Sequence, residues 1–162
     1  MRIDDIRLMF QYNDWANRRI LSAAEQVTTE QLFEEQAFSF GSIHGTLVHN
    51  LFAERLWRVL LATGEFTAPL DPQDYPDLAT LAATWAEDQK LMWRYLNTLR
   101  DDDMDSLVVY TVAEGKRERV LWQCLWHVVN HGMQHRSECA VMLTNAGASP
   151  GELDVTAYLN ER

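Results

Sequence analysis

Histidines are the residues of this 162-residue chain best suited to chemistry, and there are five of them. Three, His127, His131 and His135, follow one another at intervals of four residues in a segment with helical apolar spacing. Side chains four residues apart project from the same face of a helix on successive turns. Two adjacent imidazoles can therefore bind one metal ion, whereas the outer two are about 12 Å apart along the helix axis. Spacing alone leaves two candidate pairs, both of which include His131.

A third ligand has to come from another helix, because metal sites in helical proteins combine side chains of facing helices. His49 is the candidate, since it lies in an amphipathic segment with the small residues Gly45 and Ala53 four positions away. We expect His44, in the first turn of the same segment, to be exposed. Three neutral imidazoles would leave one metal position open, which is typical of catalytic rather than structural zinc sites.

Three residues close to this histidine pattern have chemistry of their own. Glu138, three residues after His135, is a candidate metal ligand, proton acceptor or plain surface acid, and the surface acid is the simplest interpretation. Cys139 is interpreted as a thiolate ligand, a reactive thiol or, most commonly for such residues, a buried inert cysteine. We assign Cys124 to the core. On one helix the two cysteines would lie about 22 Å apart, so we expect free thiols.

The elements that position these residues are predicted to be helices. Apolar side chains recur at three- and four-residue steps in four segments, which are residues 4–26, 42–62, 77–99 and 121–145. Residues 106–119 are β-prone and predict an extended crossover or a loose hairpin, and residues 153–159 are expected to pack on the helices. The sequence thus predicts one all-α domain over residues 1–162, a four-helix bundle with a long crossover before the last helix.

Composition excludes several partners. Acidic residues outnumber basic ones by 24 to 14, giving a net charge of −10 that repels phosphate backbones, so we expect no nucleic acid. No apolar run approaches the ~18 residues of a membrane span, so we expect no membrane partner. Two acids near the start, Asp4 and Asp5, do not suit an export signal, and we expect a cytoplasmic protein.

Over essentially its whole length the chain resembles the DinB/YfiT-like metalloenzyme family. The resemblance rests on YNDWAN at residues 12–17, SIHGTLVH at 42–49, HVVNHGMQHR at 127–136 and the ending at 147–159. It implies a DinB-type four-helix bundle, a homodimer, and a metal triad at the positions that match the family motifs, His49, His131 and His135. Where the family continues His-Arg-Gly, this chain has Ser137, which lies outside the ligand set.

The resemblance also implies an activity, because the family includes thiol-dependent transferases and isomerases. We expect a divalent metal, with zinc or nickel ranked before iron, manganese and cobalt, and a low-molecular-weight thiol as co-substrate. The leading hypothesis is a metal-dependent thiol S-transferase or related detoxifying enzyme acting on small electrophiles, with Glu138 handling protons. One alternative is a non-enzymatic stress-induced metal-binding protein without an open pocket beside the metal. The other is a metal-dependent hydrolase using Glu138 and Arg136.

Overall fold

The structure, a computed structural model, describes all 162 residues and is mostly helical. The six helices are α1 (Ile3–Ala24), α2 (Thr29–Phe33), α3 (Ile43–Thr63), α4 (Leu78–Thr98), α5 (Leu121–Asn145) and α6 (Val155–Glu161). Two strands, β1 (Leu107–Val112) and β2 (Gly115–Val120), precede α5, and short 3₁₀ turns occupy Pro72–Asp74 and Asp101–Asp103. None of the helices is both long enough and apolar enough to span a membrane.

The ends of the long helices follow from residues that satisfy free backbone groups. Ser42 Oγ accepts a hydrogen bond from the backbone N–H of Gly45 at the start of α3 (2.9 Å), and Asp77 does the same for Thr80 at the start of α4 (2.7 Å). Gly64 ends α3 with a left-handed φ of 78°. The predicted boundaries are confirmed to within two residues for all four long helices, and those of α5 coincide with the prediction.

A β-hairpin occupies the segment before α5, so the all-α prediction is wrong in this part of the chain. β1 and β2 pair antiparallel, from Leu107 opposite Val120 to Val112 opposite Gly115. The predicted crossover or loose hairpin is therefore a regular two-stranded hairpin. Its β-branched run favours extended backbone, and Gly115 supplies the positive φ of 116° next to the turn.

The four long helices pack around two apolar clusters. α5 contacts both α1 and α3, and α4 contacts the same two helices from another side. Large side chains without solvent exposure fill the space between them, among them Ile6, Leu47, Leu51, Leu81 and Leu125. The prediction that the C-terminal tail packs on the helices is confirmed, because Tyr12 Oη donates a hydrogen bond to the Leu153 carbonyl (2.7 Å). The α3–α5 contact is the one that positions the histidines.

Candidate metal centre

The structure brings together His49 from α3 with His131 and His135 from α5. The Nε2 atom of His131 lies 3.4 Å from Nε2 of His49 and 3.3 Å from Nε2 of His135. Their potential ligand atoms all lie within 4.8 Å of one another. These are the three positions that the family resemblance selected, and they are drawn from two facing helices.

The spacing of the three nitrogens fits a small cation. An ion bound tetrahedrally at about 2.0–2.1 Å from each nitrogen holds its ligand nitrogens about 3.3–3.4 Å apart. Hydrogen bonds among the rings cannot replace such an ion. A single N–H on Nε2 of His131 cannot form linear hydrogen bonds to Nε2 of both His49 and His135. The buried Nδ1 of His131 has no hydrogen-bond partner either. The residues present therefore fit a divalent metal.

Electrostatics keep these imidazoles in the form that binds metal. Burial lowers the pKa of His49 to about 4, with a smaller contribution from the neighbouring His135. Burial likewise lowers the pKa of His131 to about 4, with His135, His49 and His127 adding repulsion. Both rings are neutral at pH 7, so their nitrogen lone pairs are available to a cation.

Glu138 lies behind His135 and outside the cluster of ligand atoms. Its Oε2 accepts a hydrogen bond from Nδ1 of His135 at 2.8 Å, which leaves Nε2 as the unprotonated nitrogen facing the other two rings. With a side chain only 18% exposed, Glu138 is not the plain surface acid that the sequence suggested. A carboxylate in this position fixes the tautomer and orientation of a metal-binding histidine.

Phe40, in the loop before α3, forms an apolar wall that sequence reasoning missed. Its ring stacks on His49 with centroids 3.6 Å apart and meets His135 edge-on at 5.3 Å. Gly45 makes this possible, because a Cβ there would lie 2.2 Å from the backbone oxygen of Phe40. Gly45 thus allows the loop that carries Phe40 to pack against α3, and it does not leave empty space around His49. The two glycines in the sequence GSIHG at residues 41–45 were the available sign that a loop packs closely against the start of α3.

The remaining two histidines lie outside the cluster. His44 was expected to be exposed, and this is wrong: it is 3% exposed, and its Nε2 donates a hydrogen bond to the Tyr75 carbonyl (2.7 Å). Its position in the first turn of α3 suggested exposure, because the sequence does not show that the loop carrying Tyr75 packs over it. His127 lies one turn before His131, with ring centroids 5.6 Å apart, and lines a cavity of about 460 Å³.

Comparison with known proteins identifies the family. A sequence model of the DinB family matches residues 3–162. The chain belongs to the DinB family. The chain is 26% identical over 157 residues to "Protein DinB" of Bacillus subtilis (strain 168), an alignment covering 93% of this chain and 91% of that protein. The resemblance stated from the motifs is thereby confirmed.

A solved structure supports the fold of this DinB-family chain. The crystal structure of a conserved protein from Enterococcus faecalis superposes with a TM-score of 0.66, covering 85% of this chain and 94% of that chain. At 12% sequence identity, the likeness concerns the fold alone.

The first-helix motif of this DinB-family chain lies in a second polar cluster, which we call the arginine network: Arg136, Asn13, Asn17, Glu54 and Trp85. Nη1 of Arg136 donates to Oδ1 of Asn13 (2.7 Å) and of Asn17 (2.9 Å). The amides of both asparagines donate to one oxygen of Glu54 (2.9 Å each), and the Trp85 indole donates to the other (3.0 Å). All five residues are at least 90% buried, and Arg136 Nε is left without a partner.

Both cysteines are free and buried, as expected. Burial raises the pKa of the Cys139 thiol far above neutral and also raises that of Cys124. Neither sulfur belongs to the group of potential metal ligands. Both thiols stay protonated at pH 7 and are poor nucleophiles.

Proposed function

We propose that this DinB-family protein binds one divalent metal through His49, His131 and His135 and transfers a low-molecular-weight thiol to small electrophiles. The observation that carries the proposal is the convergence of three imidazole nitrogens from two helices, one helical turn from a cavity lined by His127. Zinc leads the list of candidate metals, because the spacing of the nitrogens suits tetrahedral coordination. Nickel, iron, manganese and cobalt follow.

A divalent cation held there would act as a Lewis acid and lower the pKa of a thiol in its open position. The chain itself supplies no competing thiolate, since Cys124 and Cys139 are buried and protonated. An external thiol is therefore the nucleophile that this site would need. In the reaction its S–H proton goes to solvent or base, an S–C bond forms, and the C–X bond of the electrophile breaks as X⁻ leaves.

The protein residues around the cluster have distinct tasks in this proposal. Glu138 acts as a positioning residue, because its carboxylate contacts Nδ1 of His135 rather than the face where substrates would bind. Its sequence-based assignment as the group that handles protons remains an alternative that the experiment below separates. Phe40 shields one side of His49 from water, which favours attack by a thiol over hydrolysis.

Two competing functions have less support. A non-enzymatic metal-binding protein was expected to have no open pocket beside the metal, whereas His127 borders a cavity one turn from His131. A metal-dependent hydrolase would need a nearby group to stabilise an anion, and Arg136 was its candidate. That guanidinium is 2% exposed and bound to Asn13 and Asn17.

The test measures thiol conjugation by purified, metal-loaded protein. We expect a bacterial thiol to displace chloride from monochlorobimane, His131→Ala to abolish this reaction, and His127→Ala to retain metal. Equal rates for metal-loaded and metal-free protein would overturn the proposal. Metal binding without turnover of any thiol would favour the non-enzymatic alternative.

A further pair of variants defines the role of Glu138. A positioning role predicts that Glu138→Ala weakens metal binding about 10- to 100-fold, and that Glu138→Gln, which can still accept from His135, keeps most of it. A role in proton transfer predicts intact metal content with a lower turnover number in both variants.

The proposal extends to the scaffold and its setting. We infer that the four long helices form the DinB-type bundle, a homodimer in the cytoplasm, where two free buried thiols suit a reducing compartment. Sedimentation of the 18.8 kDa chain measures the assembly. A mass of one chain at micromolar concentration would contradict the dimer.

A further inference from the structure

The cavity lined by His127 has walls from four elements, α3, β1, β2 and α5. Trp57 comes from α3, Tyr110 from β1, and Trp122 and Trp126 from α5. Its volume of about 460 Å³ lies in the range of sites for small organic molecules. The hairpin before α5 thus forms one wall of this cavity.

Flat aromatic surfaces dominate these walls. The Trp57 and Tyr110 rings meet edge-on with centroids 5.7 Å apart, and Trp122 and Trp126 lie 6.4 Å apart with planes tilted by 34°. Trp126 is 49% exposed, although tryptophan is costly to leave in water. Such surfaces favour a ligand with a planar conjugated ring, which can stack on one wall and meet another edge-on.

One positive charge lies in the same cavity without an acidic partner. Arg119, on β2, is exposed and forms no ion pair within 4 Å, and its Nη1 donates to the Glu118 carbonyl (2.8 Å). Its charge is felt inside the cavity, because it opposes the burial that raises the pKa of Cys124. In a chain of net charge −10, an unpaired guanidinium among aromatic rings favours an anionic group on the ligand.

The cavity lies one helical turn from the proposed metal ligands. His127 lies between the two, with its ring 5.2 Å from that of Trp57 and 5.6 Å from that of His131. A ring bound among the tryptophans would therefore hold its substituents close to the histidine cluster.

We propose that this cavity binds a planar aromatic or conjugated molecule carrying one anionic group, with its ring against Trp57 and Trp126 and its anion on Arg119. This ligand is the electrophilic substrate of the proposed thiol transfer, so its catalytic meaning rests on the proposed function. The binding of the ligand does not rest on that function, because the aromatic walls and Arg119 can bind it whether or not a thiol is transferred.

The test compares two probes that differ only in charge, by isothermal titration calorimetry of the zinc-loaded full chain. We expect 2-naphthoate to bind at one molecule per chain and its neutral methyl ester to bind about fivefold more weakly or worse. Equal affinity for the two probes, or no binding of either, would overturn the proposal.

Variants assign the contacts. Arg119→Gln should lower the affinity for 2-naphthoate about five- to tenfold and leave the ester unchanged, and Arg119→Lys should restore part of the loss. Arg94→Gln is the matched control, because Arg94 is an exposed arginine on α4, which does not line the cavity. An equal loss of affinity for 2-naphthoate in Arg94→Gln would show that the effect comes from the net charge of the protein, and it would contradict the proposal. Trp126→Ala should weaken both probes.

Binding of the carboxylate to the metal is the competing arrangement, and a histidine variant separates the two. We expect His131→Ala to bind 2-naphthoate with the wild-type preference over the ester. A preference lost in His131→Ala but kept in Arg119→Gln would assign the anion to the metal and overturn the proposal.

Conjugation assays on the same proteins keep the two proposals distinguishable. Naphthoate binding that depends on Arg119, in a protein that conjugates no thiol, would remove the proposed function and leave the cavity assignment standing. Metal-dependent conjugation of monochlorobimane without Arg119-dependent binding would remove the cavity assignment alone.

Discussion

Two polar clusters lie on either side of α5, and adjacent residues belong to them. His135 faces the histidine cluster, whereas Arg136 faces the arginine network. In the network, donors and acceptors alternate from Arg136 through two asparagines to Glu54. In the histidine cluster, the Nε2 atoms of His49 and His135 both lie within 3.4 Å of Nε2 of His131, and a single N–H cannot satisfy all three. The members of the network bind one another, whereas we propose that a cation completes the histidine cluster.

The two clusters should respond differently to mutation. A charge in the network is buried and neutralised by a partner of the same chain, so removing one member leaves the other uncompensated. His49 and His131 are neutral at pH 7, and removing either one leaves no buried charge. Damage to the network is therefore expected in the free energy of unfolding, and damage to the histidines in metal binding.

The largest expected effect is in the arginine network. Arg136→Ala should lower the free energy of unfolding of the metal-free protein by about 3–5 kcal/mol, because Glu54 stays buried without its counter-charge. Urea unfolding measures the loss. In the double variant with Glu54→Gln the loss should be smaller than the sum of the single losses. Additive losses, or a loss below about 1 kcal/mol, would show that the network does not act as a unit.

Next in size is the stabilisation that metal adds. Zinc at about 100 times its dissociation constant should raise the free energy of unfolding of the wild type by about 2.7 kcal/mol, and a chelator should remove the gain. His131→Ala should gain nothing from zinc while keeping the metal-free stability to within about 1 kcal/mol. His127→Ala, one turn away, should gain as the wild type does. A zinc gain in His131→Ala would place the ion elsewhere.

A smaller effect is expected where the two clusters approach each other, at Gly132. A Cβ at this position would lie 2.7 Å from Nη1 of Arg136 and 3.1 Å from Oδ1 of Asn13. Gly132→Ala should cost about 1–3 kcal/mol through this overlap, although alanine is the better helix former. Gln134→Ala, exposed on the same helix, is the control and should be neutral. A more stable Gly132→Ala protein would mean that the guanidinium can move away.

The smallest effect concerns Asp14, at the edge of the network. Burial raises its pKa to about 6, although its hydrogen bond with the Trp93 indole opposes the shift. The folded state then binds this proton more tightly than the unfolded state, so this group makes the protein less stable as pH rises from about 4 to 6. The Asp14→Asn protein has no carboxyl group at this position and should not lose this part of its stability as the pH rises.

Relative to wild type, Asp14→Asn should therefore gain about 1–2 kcal/mol between pH 4 and pH 7, allowing for partial exposure of the carboxyl group. Urea unfolding at both pH values measures the difference between the two proteins. A stability difference that is the same at pH 4 and pH 7 would contradict the raised pKa.

Local signals predicted most of the helical framework. Apolar spacing gave the helices, and Ser42, Asp77 and Gly64 mark three of their ends, because caps act over three or four residues and are visible in sequence. The sequence did not decide between a crossover and a hairpin for residues 106–119. β propensity depends on what a strand packs against, and the local sequence does not contain that information.

The histidine site divides in the same way. Four-residue spacing paired histidines on one helix, and the amphipathic second segment made His49 the candidate third ligand. Only the family motifs chose His135 over His127. Phe40, the burial of His44 and the contact between Glu138 and His135 depend on how loops and helices meet in three dimensions. The asparagines of the first-helix motif gave no sign that they bind Arg136, since more than 115 residues separate them along the chain.

Titration with Co²⁺ tests the central claim most directly, because bound ions are counted by their visible absorption. The histidine cluster predicts one ion per chain in the wild type and in His127→Ala, and loss of the signal in His49→Ala, His131→Ala and His135→Ala. Full binding by His135→Ala, or its loss in His127→Ala, would contradict the assignment of His49, His131 and His135 as the metal site.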